Sequence, residues 1–180
     1  MRAENRGHVL RRFFSGLTEY AFQTRLGVAD PPLVDYLAEL LTQFVRCDRI
    51  FRLRKLSGHR LEEVAEMLLE AQQRVGDARR EVHRHVGDFT LFWTGVYPEA
   101  LDRLQGESRK DRLINYTVQG KRAYYIASTM RTDQNALECD VLERISHRFE
   151  LCAFGLNEIR REWERRDPAE AGQIAQIWIN

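Results

Sequence analysis

The sequence has few cysteines, few prolines and no long apolar run, and each shortage excludes a class of protein. Its cysteines, Cys47, Cys139 and Cys152, are odd in number and far apart, so neither a disulfide framework nor a CxxC zinc knuckle is predicted. The four prolines argue against long irregular segments. The longest uncharged stretch, residues 89–98, is about half of what a helix needs to cross a bilayer. Because the N-terminus also lacks an apolar secretory segment, we expect a cytoplasmic protein that does not contact a membrane.

An excess of one charge sign is missing as well. The 28 basic and 27 acidic residues leave a net charge of +1, which excludes a chain that binds polyanions along its whole length. Arginine outnumbers lysine 25 to 3, a bias typical of GC-rich bacterial genomes. The catalytic strings GxSxG, HExxH and GxGxxG are absent, and Gly120-Lys121 is followed by Arg122 where a phosphate loop needs serine or threonine. These absences favour a non-enzymatic protein, and we predict no cofactor.

Apolar residues recur at helical spacing along most of the chain, and no alternating β pattern is long enough to matter. The pattern predicts an all-α fold, in which long coiled-coil-like helices form an antiparallel bundle beside an N-terminal accessory helix. We expect one domain over residues 1–180. Within it, residues 1–28 form the accessory helix, 30–166 the bundle core and 167–180 an apolar tail.

The first two predicted helices differ in how they begin. The accessory helix runs from Val9 to Leu26 and carries five inward-facing residues: Phe13, Phe14, Leu17, Tyr20 and Ala21. The next helix begins after Asp30, a residue type that caps helix N-termini, with a proline in the first turn. Its apolar stripe includes Cys47 and Phe51, and we expect it to end near Ser57-Gly58.

A single heptad phase continues from Leu61 to Val96, which favours one long helix. The alternative is a break at Gly76-Asp77, where glycine would close one helix and aspartate would cap the next. Both interpretations place residues 80–93 on a helix.

Two further helices are predicted towards the C-terminus. One covers Arg109 to Met130 and contains small residues that allow close packing. The other follows a cap at Asp133, ends before Asp167-Pro168 and has the cleanest apolar stripe: Leu142, Ile145, Phe149, Cys152, Leu156, Ile159 and Trp163.

One pattern is typical of a metal or acid-base site. Glu81, His85 and Asp88 are four and three residues apart, which places all three near one side of a helix. The same spacing recurs at Glu143, His147 and Glu150, but these point away from their helix's apolar stripe and are expected in solvent. We therefore consider only the first group as metal ligands. We also expect the two carboxylates to hold the proton of His85 more tightly. We favour a core-edge histidine satisfied by a neighbouring acid, and metal ligation or acid-base chemistry is the alternative.

Four residues separate Arg80 from His85, and this spacing resembles the Arg-x4–6-His signature of the HEPN superfamily. HEPN proteins are small all-α domains that often dimerise and sometimes cut RNA. The resemblance implies that Arg80 would stabilise charge on the scissile phosphate while His85 acts as acid or base. Glu81 stands where the family usually has another polar residue, and Arg54 and His59 have the same spacing.

Two surfaces are candidate binding sites. A cluster of basic residues includes Arg46, Arg49 and Arg52, which suit an anion, although the acidic residues at 62–70 would neutralise them if the two segments pair. In the aromatic stretch 89–98, apolar residues occur on all sides of the helix. Its outward residues, together with the tail, make a candidate interface: Leu91, Phe92 and Trp178. We favour burial inside the bundle for this stretch, and the interface is the alternative.

These patterns favour a non-enzymatic interaction, adaptor or regulatory protein that binds another protein or itself as a homodimer. An HEPN-like domain that binds or cleaves RNA through Arg80 and His85 is the alternative, although nucleic acid is not the favoured partner. A metal or small-molecule site near His85 is a third interpretation.

Overall fold

The computed structural model describes residues 2–44, 50–55, 57–169 and 171–172. Within these ranges the chain forms eight α-helices and no β-strand, and an isolated bridge joins Arg54 to Arg60. The predicted all-α class is confirmed. The predictions for Cys47 and for most of the apolar tail fall outside the described residues.

The helices are α1 (Arg2–Glu19), α2 (Pro31–Phe44), α3 (Val64–Gln73), α4 (Gly76–Gly95), α5 (Leu101–Leu104), α6 (Tyr116–Thr129), α7 (Ala136–His147) and α8 (Phe149–Arg166). A π-helix (Tyr20–Arg25) continues α1, and short 3-10 turns (Pro98–Ala100 and Lys110–Leu113) come before α5 and α6. Helix α4 has the most extensive contacts, since α6, α3, α8 and α2 all pack against it. None of the described helices has the length and apolar character needed to span a membrane.

The predicted buried residues of the accessory helix are correct in its centre and wrong at its C-terminal end. Phe14, Leu17 and Ala21 are buried as predicted, but Tyr20 is 39% exposed and Phe22 is fully buried instead. The π-helix accounts for the burial of Phe22, because its wider turn changes the phase of the side chains that follow Tyr20.

Helix α2 begins as predicted and ends earlier. Asp30 caps it, since the Asp30 Oδ1 accepts a hydrogen bond from the backbone nitrogen of Leu33 at 3.3 Å. The expected continuation to Ser57-Gly58 is wrong. The backbone nitrogen of Lys55 donates to the carbonyl oxygen of His59 at 2.8 Å, which closes a turn where the helix was expected.

The predicted continuous helix from Leu61 to Val96 is also wrong. It is divided into α3 and α4 by Arg74 and Val75, whose backbones are extended. Gly76 follows with a φ of 54°, a left-handed conformation that glycine adopts at little cost. The alternative break at Gly76-Asp77 is therefore correct in position, but Gly76 is the first residue of α4 and Val75, not Asp77, is its N-cap.

The helix predicted from Arg109 begins only at Tyr116. Asn115 caps it, because its side chain accepts a hydrogen bond from the Val118 nitrogen at 3.0 Å. Before it, the 3-10 turn buries Asp111 completely, and the two carboxylate oxygens accept hydrogen bonds from the backbone nitrogens of Val64 and Ala65, each at 2.8 Å. This carboxylate caps α3 from a segment more than 40 residues away in sequence.

The predicted last helix divides at Arg148 into α7 and α8 and begins after Asn135 rather than after Asp133. Its burial pattern is nevertheless confirmed. All seven stripe residues are 2% exposed or less: Leu142, Ile145, Phe149, Cys152, Leu156, Ile159 and Trp163. The change of direction at Arg148 keeps the same side of both helices against the core.

Candidate functional site

Helix α4 carries most of the predicted site residues, and its central position explains why so many are buried. His85 is fully buried, while Arg80 and Asp88 are 5% and 6% exposed. The imidazole and the carboxylate therefore depend on partners within the chain for their hydrogen bonds.

His85 is held by two contacts from the segment after α2. Its Nε2 lies 2.8 Å from the carbonyl oxygen of Ile50, and its Nδ1 accepts a hydrogen bond from the Nε of Arg52 at 3.3 Å. A guanidinium can only donate, so Nδ1 is unprotonated and Nε2 carries the proton. Burial and the positive charge of Arg52 lower the pKa of His85 to about 3.

The expectation that flanking carboxylates would hold the proton of His85 more tightly is therefore wrong. Glu81 and Asp88 are engaged elsewhere, and the charges that act most on the imidazole belong to Arg52 and Arg84. A neutral imidazole is the stable form in this environment.

Asp88 lies at the centre of a second buried group. Its Oδ1 accepts hydrogen bonds from the hydroxyl groups of Tyr36 at 2.6 Å and Tyr124 at 2.8 Å. Burial raises the pKa of Asp88, although Arg84 and the two tyrosines oppose this effect. Gly87 makes room for the arrangement, since a Cβ there would lie 2.6 Å from the Tyr124 ring.

Glu81 belongs to a third group, formed by arginines and glutamates at the edge of α4. It accepts a hydrogen bond from Arg84 at 2.7 Å and lies 3.7 Å from Arg52 and 3.6 Å from Arg80. Arg80 in turn donates to Glu138 of α7 at 2.6 Å. These ion pairs tie α4 to α7 and to the segment after α2.

The three predicted metal ligands are thus not brought together. Glu81, His85 and Asp88 each have different partners, and the described part of the chain contains no group of three His, Cys, Asp or Glu residues that could hold a metal ion. The spacing along α4 was correct, but the side chains diverge because different neighbouring segments pack over each of them.

The residues of the HEPN resemblance also diverge. Arg80 faces Glu138, whereas His85 faces Ile50 and Arg52. With both ring nitrogens occupied and no exposed surface, His85 offers no atom to an RNA phosphate in this conformation.

The predicted anion cluster is accounted for in part. Arg46 and Arg49 lie outside the described residues, and Arg52 is committed to His85 and Glu81. Lys55, a basic residue three positions after Arg52, shows the expected neutralisation by the acidic segment. Its Nζ lies 3.2 Å from the carboxylate of Glu66.

The proposed interface at Leu91 and Phe92 is wrong, because both side chains are fully buried in this chain. The Phe92 ring centroid lies 5.3 Å from those of Phe44 and Trp93, inside the aromatic core. Burial within the bundle, the favoured interpretation of this stretch, is correct for these two residues. Trp178 lies outside the described residues.

A different histidine, His83, was missed. It is 5% exposed, and neither ring nitrogen has a hydrogen-bond partner in the described part of the chain. It lines a cavity of about 170 Å³ between α3, α4 and α6. Two residues along a helix correspond to about 200°, so His83 and His85 lie on opposite sides of α4. Two signals in the sequence could have identified His83 as a separate candidate. Its helical angle differs from that of His85, and Arg79 lies one turn earlier on the same side of α4.

Comparison with known proteins found no matching family model, no similar protein of curated function and no similar solved structure. The HEPN resemblance accordingly rests on the spacing of Arg80 and His85 and on the all-α fold.

Proposed function

We propose that this chain is a non-enzymatic binding protein that recognises another protein through the outer face of α6. The observation that carries the proposal is a pair of exposed apolar side chains, Val118 and Tyr125, which are 54% and 50% exposed. They are seven residues apart, so they lie two turns apart on the same side of the helix.

The charge between them indicates what kind of partner fits. Arg122 lies on the same side of α6, is exposed, and forms no ion pair with any described residue. An amphipathic segment with an acidic side chain between two apolar ones would complement this face. In a symmetric pairing of two copies, one Arg122 would approach the other, which disfavours a second copy as the occupant.

The finer architecture predicted from the sequence belongs to the same proposal. The link between α6 and α7 covers residues 130–135, and so short a connection favours antiparallel neighbours in a bundle. A cytoplasmic location is also proposed, supported by the free thiols of Cys139 and Cys152.

Position-specific cross-linking in cells of the source organism tests the proposal. A photo-cross-linking phenylalanine analogue replaces Tyr125, and the matched control replaces Phe154 of α8, which is 55% exposed. We expect one discrete protein adduct at position 125 that is absent at position 154 and is lost when Val118→Arg is added. An adduct at twice the chain mass would identify a second copy as the partner. Equal adducts at both positions would contradict the proposal.

A further inference from the structure

The cavity beside His83 combines features that point to a ligand. It lies between α3, α4 and α6, on the side of α4 opposite His85. Its volume of about 170 Å³ corresponds to roughly five or six water molecules at the liquid's share of about 30 Å³ each. This space suits a small charged group with a few attached carbon atoms rather than a drug-sized molecule.

The imidazole of His83 is the buried polar group at this cavity. Its side chain is only 5% exposed, yet neither Nδ1 nor Nε2 has a hydrogen-bond partner among the described residues. Burial of such a group without a partner is destabilising. His85, two residues away on the same helix, has hydrogen-bond partners for both ring nitrogens. The unpartnered ring of His83 is therefore not a general property of buried histidines on α4.

Two arginines give the cavity its charge. Arg79 lines it from α4, one turn before His83, and Arg122 lines it from α6. Both are exposed, and neither forms an ion pair with a described residue. Both guanidinium charges act on His83, where burial comes first among the causes that lower its pKa. None of the described residues that line the cavity is a carboxylate, so the lining leaves the two positive charges unbalanced.

The remaining walls are apolar or neutral. Leu68 of α3 and Ile126 of α6 provide hydrocarbon surface beside the charged groups. A ligand that fits both parts therefore has an anionic end and a short aliphatic part. Two guanidinium groups match a dianion better than a monoanion, and guanidinium forks suit phosphate oxygens.

We propose that this cavity is a binding site for a phosphoryl group, carried by a small phosphate monoester, with Arg79 and Arg122 pairing with its oxygens and His83 donating a hydrogen bond from the cavity floor. The site shares Arg122 with the protein-binding face, whereas the apolar residues of that face, Val118 and Tyr125, do not line the cavity.

Titration calorimetry of the full chain with methyl phosphate, inorganic phosphate and acetate tests the assignment. We expect saturable binding of methyl phosphate that weakens at least about tenfold in Arg79→Gln and in Arg122→Gln, as the loss of one charge-assisted contact implies. Arg12→Gln is the matched control, because it removes the same charge from an exposed position on α1 and should bind like the wild type. Acetate should bind more weakly than methyl phosphate.

His83→Leu separates a binding role from a structural one. It should abolish binding while leaving the urea midpoint unchanged or higher, because it removes an unpaired polar ring from a buried position. Binding that does not saturate by roughly 10 mM, or that is equal in Arg79→Gln and Arg12→Gln, would overturn the site. Tighter binding of acetate would overturn the phosphoryl assignment. Tyr125→Arg should lose the protein partner and still bind methyl phosphate. Failure of the protein-binding proposal and failure of the anion site can therefore be distinguished.

Discussion

The Nε2 of His85 donates a hydrogen bond to the carbonyl oxygen of Ile50, 35 residues earlier in the chain and 2.8 Å away. This contact fixes the tautomer of a fully buried imidazole and leaves Nδ1 to accept from Arg52. The side of α4 that the sequence identified as a candidate site is therefore closed by internal partners. On the opposite side, the buried imidazole of His83 has no hydrogen-bond partner among the described residues.

The stability of the protein should fall on acidification because His85 resists protonation. The unfolded chain binds a proton at this residue below a pKa of about 6.5, whereas the folded chain does not until about 3. Within that window acid favours the unfolded state, at up to about 1.4 kcal/mol per pH unit. In His85→Gln the free energy of unfolding should depend less steeply on pH between 6 and roughly 4. Urea denaturation at several pH values measures the slope.

Arg52→Gln should give a pH dependence of stability between those of the wild type and His85→Gln. Removing this charge should raise the pKa of His85 and shorten the window in which acid destabilises the fold. A slope unchanged in both variants would show that His85 is not the group responsible.

The burial pattern could be predicted from the sequence, whereas the helix boundaries could not. Heptad spacing identified the core residues of α7 and α8 correctly, but the same phase continues across Arg148 and concealed the break there. Between α3 and α4, too, the unbroken phase outweighed Gly76, whose left-handed backbone marks the break. Periodicity reports which side of a segment faces the core and not where its backbone turns.

The hydrogen-bond partners of the site residues could not be predicted from the sequence, for a different reason. Glu81, His85 and Asp88 share a spacing, but each is satisfied by a segment distant in sequence, such as Tyr124 for Asp88. No local pattern records such long-range contacts. His83 was accessible in principle, since its helical angle places it apart from His85.

Gly87→Ala should destabilise the protein although alanine favours helices. A Cβ at this position would lie 2.6 Å from the ring of Tyr124, so the ring that donates to Asp88 must move. We expect a loss of about 1–3 kcal/mol in the free energy of unfolding, as for other overpacked cores. Gly16→Ala in α1 is the matched control, since no atom lies within 4 Å of its added Cβ. It should stabilise by up to about 1 kcal/mol, and the same sign for both variants would contradict the close approach.

Asp111→Ala should remove the cap of α3. The change leaves the nitrogens of Val64 and Ala65 and the buried hydroxyl of Tyr116 without their acceptor. Loss of a cap and exposure of a buried donor together predict a destabilisation of about 2–4 kcal/mol. Asp111→Asn retains one acceptor oxygen and should lose less. Urea denaturation that ranks the two variants equally would argue against this role.

Nitrogen-15 NMR spectra of the imidazole rings, recorded with and without methyl phosphate, test both histidines of α4 at once. We predict that His85 keeps the neutral form with its proton on Nε2 down to about pH 4, and that phosphate does not change its signals. The nitrogen signals of His83 should shift with methyl phosphate and saturate. A His85 that protonates near pH 6.5 or responds to phosphate, beside a His83 that does not, would contradict the assignment of a closed and an open side of α4.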